Sequence, residues 1–123
     1  MRALKFRVWN GVEWCGKIQP NQLVDPNDYD TYKTLTYQQF TGLLDRNGNE
    51  IYEGDIIAIF SPTKKCNLKT KRNIEFKYGA FCAIRLNVKF DYEKDFGMPF
   101  NCCGGGNPWV IIGNILEHPE LLN

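Results

Sequence analysis

The chain opens with alternation. Leu4, Phe6 and Val8 interleave with Lys5, Arg7 and Trp9, and after Asn10-Gly11 the positions Val12, Trp14, Gly16 and Ile18 interleave with Glu13, Cys15 and Lys17. A period of two marks a strand with one buried face, and Asn-Gly is a favoured two-residue hairpin turn. The pattern predicts strands at about 3–9 and 12–18. Gln19 to Asp30 holds prolines, asparagines and aspartates and reads as loop. Tyr32 to Thr41, rich in Thr and Tyr, reads as a strand.

Asp45-Arg46-Asn47-Gly48 is a turn by composition, because Asp bonds forward to the backbone and Gly takes the left-handed exit. A short strand returns over Asn49 to Glu53, and Glu53-Gly54 breaks the chain again. Ile56 to Phe60 is apolar on both faces, the pattern of an interior strand. Ser61 to Thr70 is polar and lysine-rich and reads as loop. Ile74, Phe76 and Tyr78 alternate with Asn73, Glu75 and Lys77, which puts the two aromatics on the core face. After Gly79, positions 80–90 read as one long strand with Cys82, Ile84, Leu86, Val88 and Phe90 on one side. Asp91 to Pro108 is irregular, Trp109 to Ile112 is a last strand, and His118 to Leu122 suits one helical turn started by Pro119.

No stretch has the 3.6-residue period of a long helix. The expected fold is mainly β. Strands near 55–60, 72–78, 80–90 and 109–113 suit a small, strongly bent barrel, preceded by an N-terminal hairpin subdomain. The division expected is 1–40 for the hairpin and strand subdomain and 41–123 for the barrel, with one continuous domain 1–123 as the alternative.

Composition narrows the function classes. The chain has 123 residues and a net charge of +1, so no global field draws it to nucleic acid or acidic lipid. No apolar run reaches the ~20 residues of a membrane span. The charged opening MRALKFRVWN is unlike a signal peptide, so a cytoplasmic protein is expected. Five cysteines, Cys15, Cys66, Cys82, Cys102 and Cys103, are an odd number and fit reduced thiols better than a disulfide framework.

Four constellations invite chemistry. Asp45, Asn47 and Asn49 have the spacing of the first calcium ligands, but Glu50 and Ile56 stand where an EF-hand loop needs Gly and a bidentate Glu. Metal binding is not expected there. Glu53 and Asp55 are close enough in sequence to split their pKa values as an acid/base pair, or else simply flank a glycine turn. The cysteines lack CxxC or CxxxH spacing, so zinc is not expected, although Cys102 and Cys103 beside three glycines leave a metal or redox role open. NCCGGGNPW lacks the lysine and the helix of a phosphate loop. His118, the one histidine, sits at the start of the terminal turn, where an exposed position is expected rather than a triad.

The strongest local charge is the run Lys64, Lys65, Lys69, Lys71 and Arg72. If all five touched phosphates, log K would fall by roughly 4.5 per tenfold rise in salt. Phe76 and Tyr78 lie nearby and could stack bases, were they not expected to face the core.

KFRVWN at 5–10, QFTGLLDRNGNEIYEGDII at 39–57 and VIIGNILEHPELL at 110–122 resemble the YopX family of phage and prophage proteins. Members carry a KFRxW opening, a YTGLxDKNGxEIYEGDIV-like centre and an IGNIYENPELL-like tail. The resemblance implies a small phage-associated protein of unknown function in the cytoplasm of a bacterial host. It further implies an SH3-like barrel in the C-terminal part and higher-order assembly. It gives no catalytic role to Glu53, Asp55 or His118. Residues 58–108 depart from the family blocks, and the CCGGG segment is particular to this chain. The function expected is therefore a non-enzymatic accessory protein without cofactor, acting through protein contacts as a homo-oligomer. A nucleic-acid-binding barrel using residues 64–72 is the alternative.

Overall fold

A computed structural model describes residues 4–18, 35–61, 65–86, 88–97 and 108–122. Its elements are β1 (Phe6–Trp9), β2 (Trp14–Ile18), β3 (Thr36–Leu44), β4 (Glu50–Tyr52), β5 (Asp55–Ser61), β6 (Lys65–Lys77), β7 (Ala80–Arg85), a short helix α1 (Tyr92–Asp95) and β8 (Trp109–Asn114). A 3-10 turn, Pro119–Leu122, follows β8. The strands form two antiparallel four-stranded sheets, ordered β2-β1-β3-β4 and β7-β6-β5-β8. The fold is mainly β, and neither ladder closes into a barrel among the described residues.

β5 is the interior strand that its apolar run predicts. Ile56, Ile57 and Ala58 have no exposed surface, and the strand lies between β6 and β8. Ile57 joins Ile74, Phe81, Ala83 and Trp109 in the main core, and Ile51 enters the same cluster from β4 of the other sheet. Burial of such side chains contributes about 1.5–3 kcal/mol each.

Several elements depart from the alternation pattern, each for a local reason. The first hairpin turns over four residues rather than two. The Asn10 side chain accepts from the amides of Val12 (2.8 Å) and Glu13 (2.9 Å), so β2 starts only at Trp14. β3 runs past Thr41 because Phe40 pairs with Tyr52 and Leu44 with Glu50. The lysine-rich segment expected as loop is strand from Lys65 onward, where Lys65, Cys66 and Asn67 pair with Ser61, Phe60 and Ile59. Backbone pairing does not need apolar side chains, and a ladder irregularity follows, where the Ile59 amide donates to Thr70 Oγ1 at 2.8 Å.

β7 ends at Arg85 instead of running to 90. The buried Asp95 carboxylate accepts from Arg85 Nε (2.8 Å), the Arg85 amide (3.3 Å) and the Asp91 amide (2.8 Å), which turns the chain into α1. Burial alone would raise the Asp95 pKa. The Arg85 hydrogen bond and the two amides outweigh it and hold the group at about 2.

The face assignment at this end also differs from the alternation. Phe81 and Ala83 enter the core cluster, while Cys82 is buried on the opposite side of β7. Phe76 and Tyr78 are not on a core face, being 53% and 71% exposed. The hairpin carries them toward the end of the core, where Phe76 meets Phe81 edge to face, 5.1 Å between ring centres.

Candidate functional site

The three sequence blocks meet at one polar cluster. Arg7 of β1 pairs with Asp55 at the start of β5 and donates to Gln38 Oε1 through Nε (3.2 Å) and Nη2 (3.0 Å). Asn114, at the end of β8, donates Nδ2 to Gln38 Oε1 (2.9 Å) and to Asp55 Oδ1 (3.0 Å). The other Asp55 oxygen accepts from the Tyr52 amide at 2.8 Å. The Arg7 guanidinium lies between Trp14 (4.2 Å) and Tyr52 (4.5 Å). Such stacking suits a planar, weakly hydrated cation.

Each member is committed to the scaffold. Burial pushes the Asp55 carboxyl up from its ordinary value, with Arg7 and the hydrogen bonds opposing. Its Oδ1 takes the bonds from Arg7 and Asn114 and its Oδ2 the bond from the Tyr52 amide. Glu53 is elsewhere. Its Oε1 accepts from the Gln39 amide at 3.0 Å, and it lines an open cleft that Asp55 does not line. The two carboxylates do not converge.

Neighbouring signature residues are spent in the same way. Asp45 is buried, with Oδ1 accepting from the amides of Asn47 and Asn49 (2.9 Å each) and Oδ2 from the Ile111 amide of β8 at 3.1 Å. The would-be first calcium ligand thus clamps the β3–β4 turn to β8. Glu50 accepts from Lys17 and Lys5, which hold its pKa at about 2. Tyr52 donates to Glu50 Oε1 at 3.2 Å. Burial, then Glu50, drives the Tyr52 phenol above its ordinary value. Gly54 has φ +85, and a Cβ there would lie 2.2 Å from Gln38 Nε2. His118 is half-buried rather than exposed, with Nδ1 accepting from the Asn114 amide at 3.3 Å.

The basic run is divided. Lys71 Nζ donates to the Leu121 carbonyl (2.8 Å), and Arg72 Nη1 donates to the Ala83 carbonyl (2.8 Å), so both are used within the fold. Lys65 and Lys69 lie on β6. Their side chains, with Lys64, Cys102 and Cys103, fall outside the described residues. Among the described residues no three His, Cys, Asp or Glu side chains group to hold a metal, and no helix is long and apolar enough to cross a membrane.

What the alternation pattern missed is an aromatic end on the second sheet. Tyr78, Tyr92 and Phe96 are exposed and linked, with Tyr78 5.8 Å from Phe90 and 5.9 Å from Tyr92, and Tyr92 stacked on Phe96 at 4.7 Å. Tyr78 is the one non-glycine residue with positive φ (+53) among the described residues, and Gly79 follows at +82. Positive φ at both loop residues is the type I′ hairpin geometry, which favours Asn-Gly. A tyrosine in the asparagine place was the available sequence signal.

Two open sheets locked by one buried polar cluster define a small mainly β protein whose signature residues serve the scaffold. The chain belongs to the YopX protein family, whose profile matches residues 4–123. It is similar in fold to the crystal structure of protein EF1440 from Enterococcus faecalis, with a TM-score of 0.70, 24% identity and 100% of each chain covered. No curated protein matches it.

Proposed function

We propose that this is a non-enzymatic accessory protein of a phage or prophage, working in the bacterial cytoplasm through protein contacts or self-assembly. One observation carries the reading: the aromatics Tyr78, Tyr92 and Phe96 stand exposed and linked at one end of the second sheet, and Phe76 is exposed on β6 two residues before Tyr78. Exposed aromatic groups are the usual anchors of interfaces. Placing Tyr78 in the left-handed region costs roughly 1 kcal/mol, a local cost that a contact role for the ring would offset. In the same reading the C-terminal part is an SH3-like barrel, with the irregular β5–β6 ladder as its bend. The nucleic-acid alternative is weakened, because Lys71 and Arg72 already bond within the chain.

The test is association of wild type against a Phe76→Ser, Tyr78→Asn double variant, by sedimentation velocity and by capture from host lysate. The reading expects a self-associated or captured species that the variant loses while its fold persists. A monomer that captures nothing, or identical behaviour of both proteins, contradicts it.

A further inference from the structure

Two clefts lie side by side between β3 and the β6–β7 hairpin, with Phe76 lining both. The first, of about 350 Å³, lies between Thr36–Gln38 of β3 and Ile74–Phe76 of β6, with Glu53 at its side. The second, of about 290 Å³, lies between Thr41–Leu43 of β3 and the tip of the β6–β7 hairpin. Phe76 lines both and forms the ridge between them. β3 supplies residues to both clefts, Thr36–Gln38 to the first and Thr41–Leu43 to the second, so the two are taken together as one groove. At ~3.4 Å per residue its lining stretch spans roughly 24 Å, the length of about seven extended residues.

The two halves differ in chemistry. Glu53 and Glu75 are the carboxylates lining the first half. Glu53 spends one oxygen on the Gln39 amide, and its other accepts no hydrogen bond among the described residues. Glu75 accepts from Asn73 Nδ2 at 2.9 Å, and its nearest cation, Lys77, is 3.9 Å away. The second half has no charged lining residue and presents the apolar side chains Leu43, Phe76, Ala80 and Phe81 beside Thr41. A side chain entering over Gly79 meets open space, since a Cβ built there has no neighbour within 4 Å.

We propose that this groove holds an extended peptide segment of a partner protein, with a basic side chain between Glu53 and Glu75 and an apolar one beyond Phe76. The proposal rests on the protein-contact reading and names the partner's chemistry. Charge complementarity selects the occupant: the acidic half attracts arginine or lysine and repels phosphate, which disfavours nucleic acid. Two open clefts side by side suit an extended chain better than an enclosed small molecule.

Fluorescence anisotropy on the full chain tests it. The probes are two labelled heptapeptides, each with two arginines at one end and leucine-phenylalanine at the other, in opposite directions. Matched controls carry citrulline for arginine. One arginine probe is expected to bind about tenfold tighter than its citrulline control. Glu53→Gln with Glu75→Gln should remove that difference, and both substitutions keep an oxygen acceptor for Gln39 and Asn73. Phe76→Ser should weaken both peptides. Failure of both probe directions to bind overturns the proposal, as do equal binding of arginine and citrulline peptides, groove closure by a second copy, or displacement by a single-stranded oligonucleotide. If probes fail while association sensitive to Tyr78→Asn persists, only the groove falls. If probes bind but no such association exists, the aromatic-end reading falls.

Discussion

The guanidinium of Arg7 on β1 and the carboxylate of Asp55 on β5 form an ion pair that ties the first sheet to the second. Asp55 is 1% exposed and Arg7 17%. Removing one partner from such a pair leaves an uncompensated buried charge and costs about 3–5 kcal/mol. Arg7→Ala and Asp55→Ala should each lower the urea midpoint by that measure. The double substitution should cost less than the sum, because the stranded charge is then gone.

Gly54 and Gly48 have the same φ of +85, but a Cβ at Gly54 would strike Gln38 Nε2, while one at Gly48 meets nothing within 4 Å. Gly48→Ala therefore carries only the backbone cost, about 1 kcal/mol. Gly54→Ala adds a displaced Gln38 and should cost at least twice that, with the difference read by thermal melting.

Asp45 serves three backbone amides from two elements, Asn47, Asn49 and Ile111. Asp45→Ala leaves buried donors unpaired, at about 1–3 kcal/mol for each such group. Hydrogen exchange should rise at Ile111 as well as in the turn. Calcium should leave the wild-type melting temperature unchanged.

Glu50 and Asp95 both have folded pKa values near 2, Glu50 through Lys17 and Lys5, Asp95 against its own burial through Arg85 and two amides. A depressed carboxyl pKa adds stability that is present above the unfolded value, about 4, and is lost as pH falls through about 2. Stability should decline across that window. Asp55, raised by burial, acts in the opposite sense: its contribution is present at low pH and lost as pH rises through its folded value. Glu50→Gln and Asp95→Asn should therefore each flatten the acid limb, and Asp55→Asn should not.

Local chemistry made much of the fold legible before the structure. The apolar run at Ile56–Phe60 gave an interior strand, and Asp45 with Gly48 gave a turn. Lys65–Asn67 misled because strand pairing is made by backbone. Phe76 and Tyr78 misled because alternation cannot say where a core ends. The polar cluster was hidden for a different reason. Arg7 and Asp55 are 48 positions apart, and Gln38 and Asn114 are 76 apart, so no window or period contains them together. Glu53 and Asp55 drew notice as neighbours, yet two residues of separation across Gly54 send them to different surroundings.

The central claim is that the signature residues hold the scaffold while the aromatic end makes the contact. Association of the Phe76→Ser, Tyr78→Asn variant, measured beside its denaturation midpoint, tests this most directly. Asparagine suits the left-handed position, which offsets part of the packing that Phe76→Ser loses against Phe81, so the variant should stay folded with a midpoint near the wild-type value. Association should fall at least tenfold, about 1.4 kcal/mol. Wild-type association in a variant of undiminished stability would contradict the account.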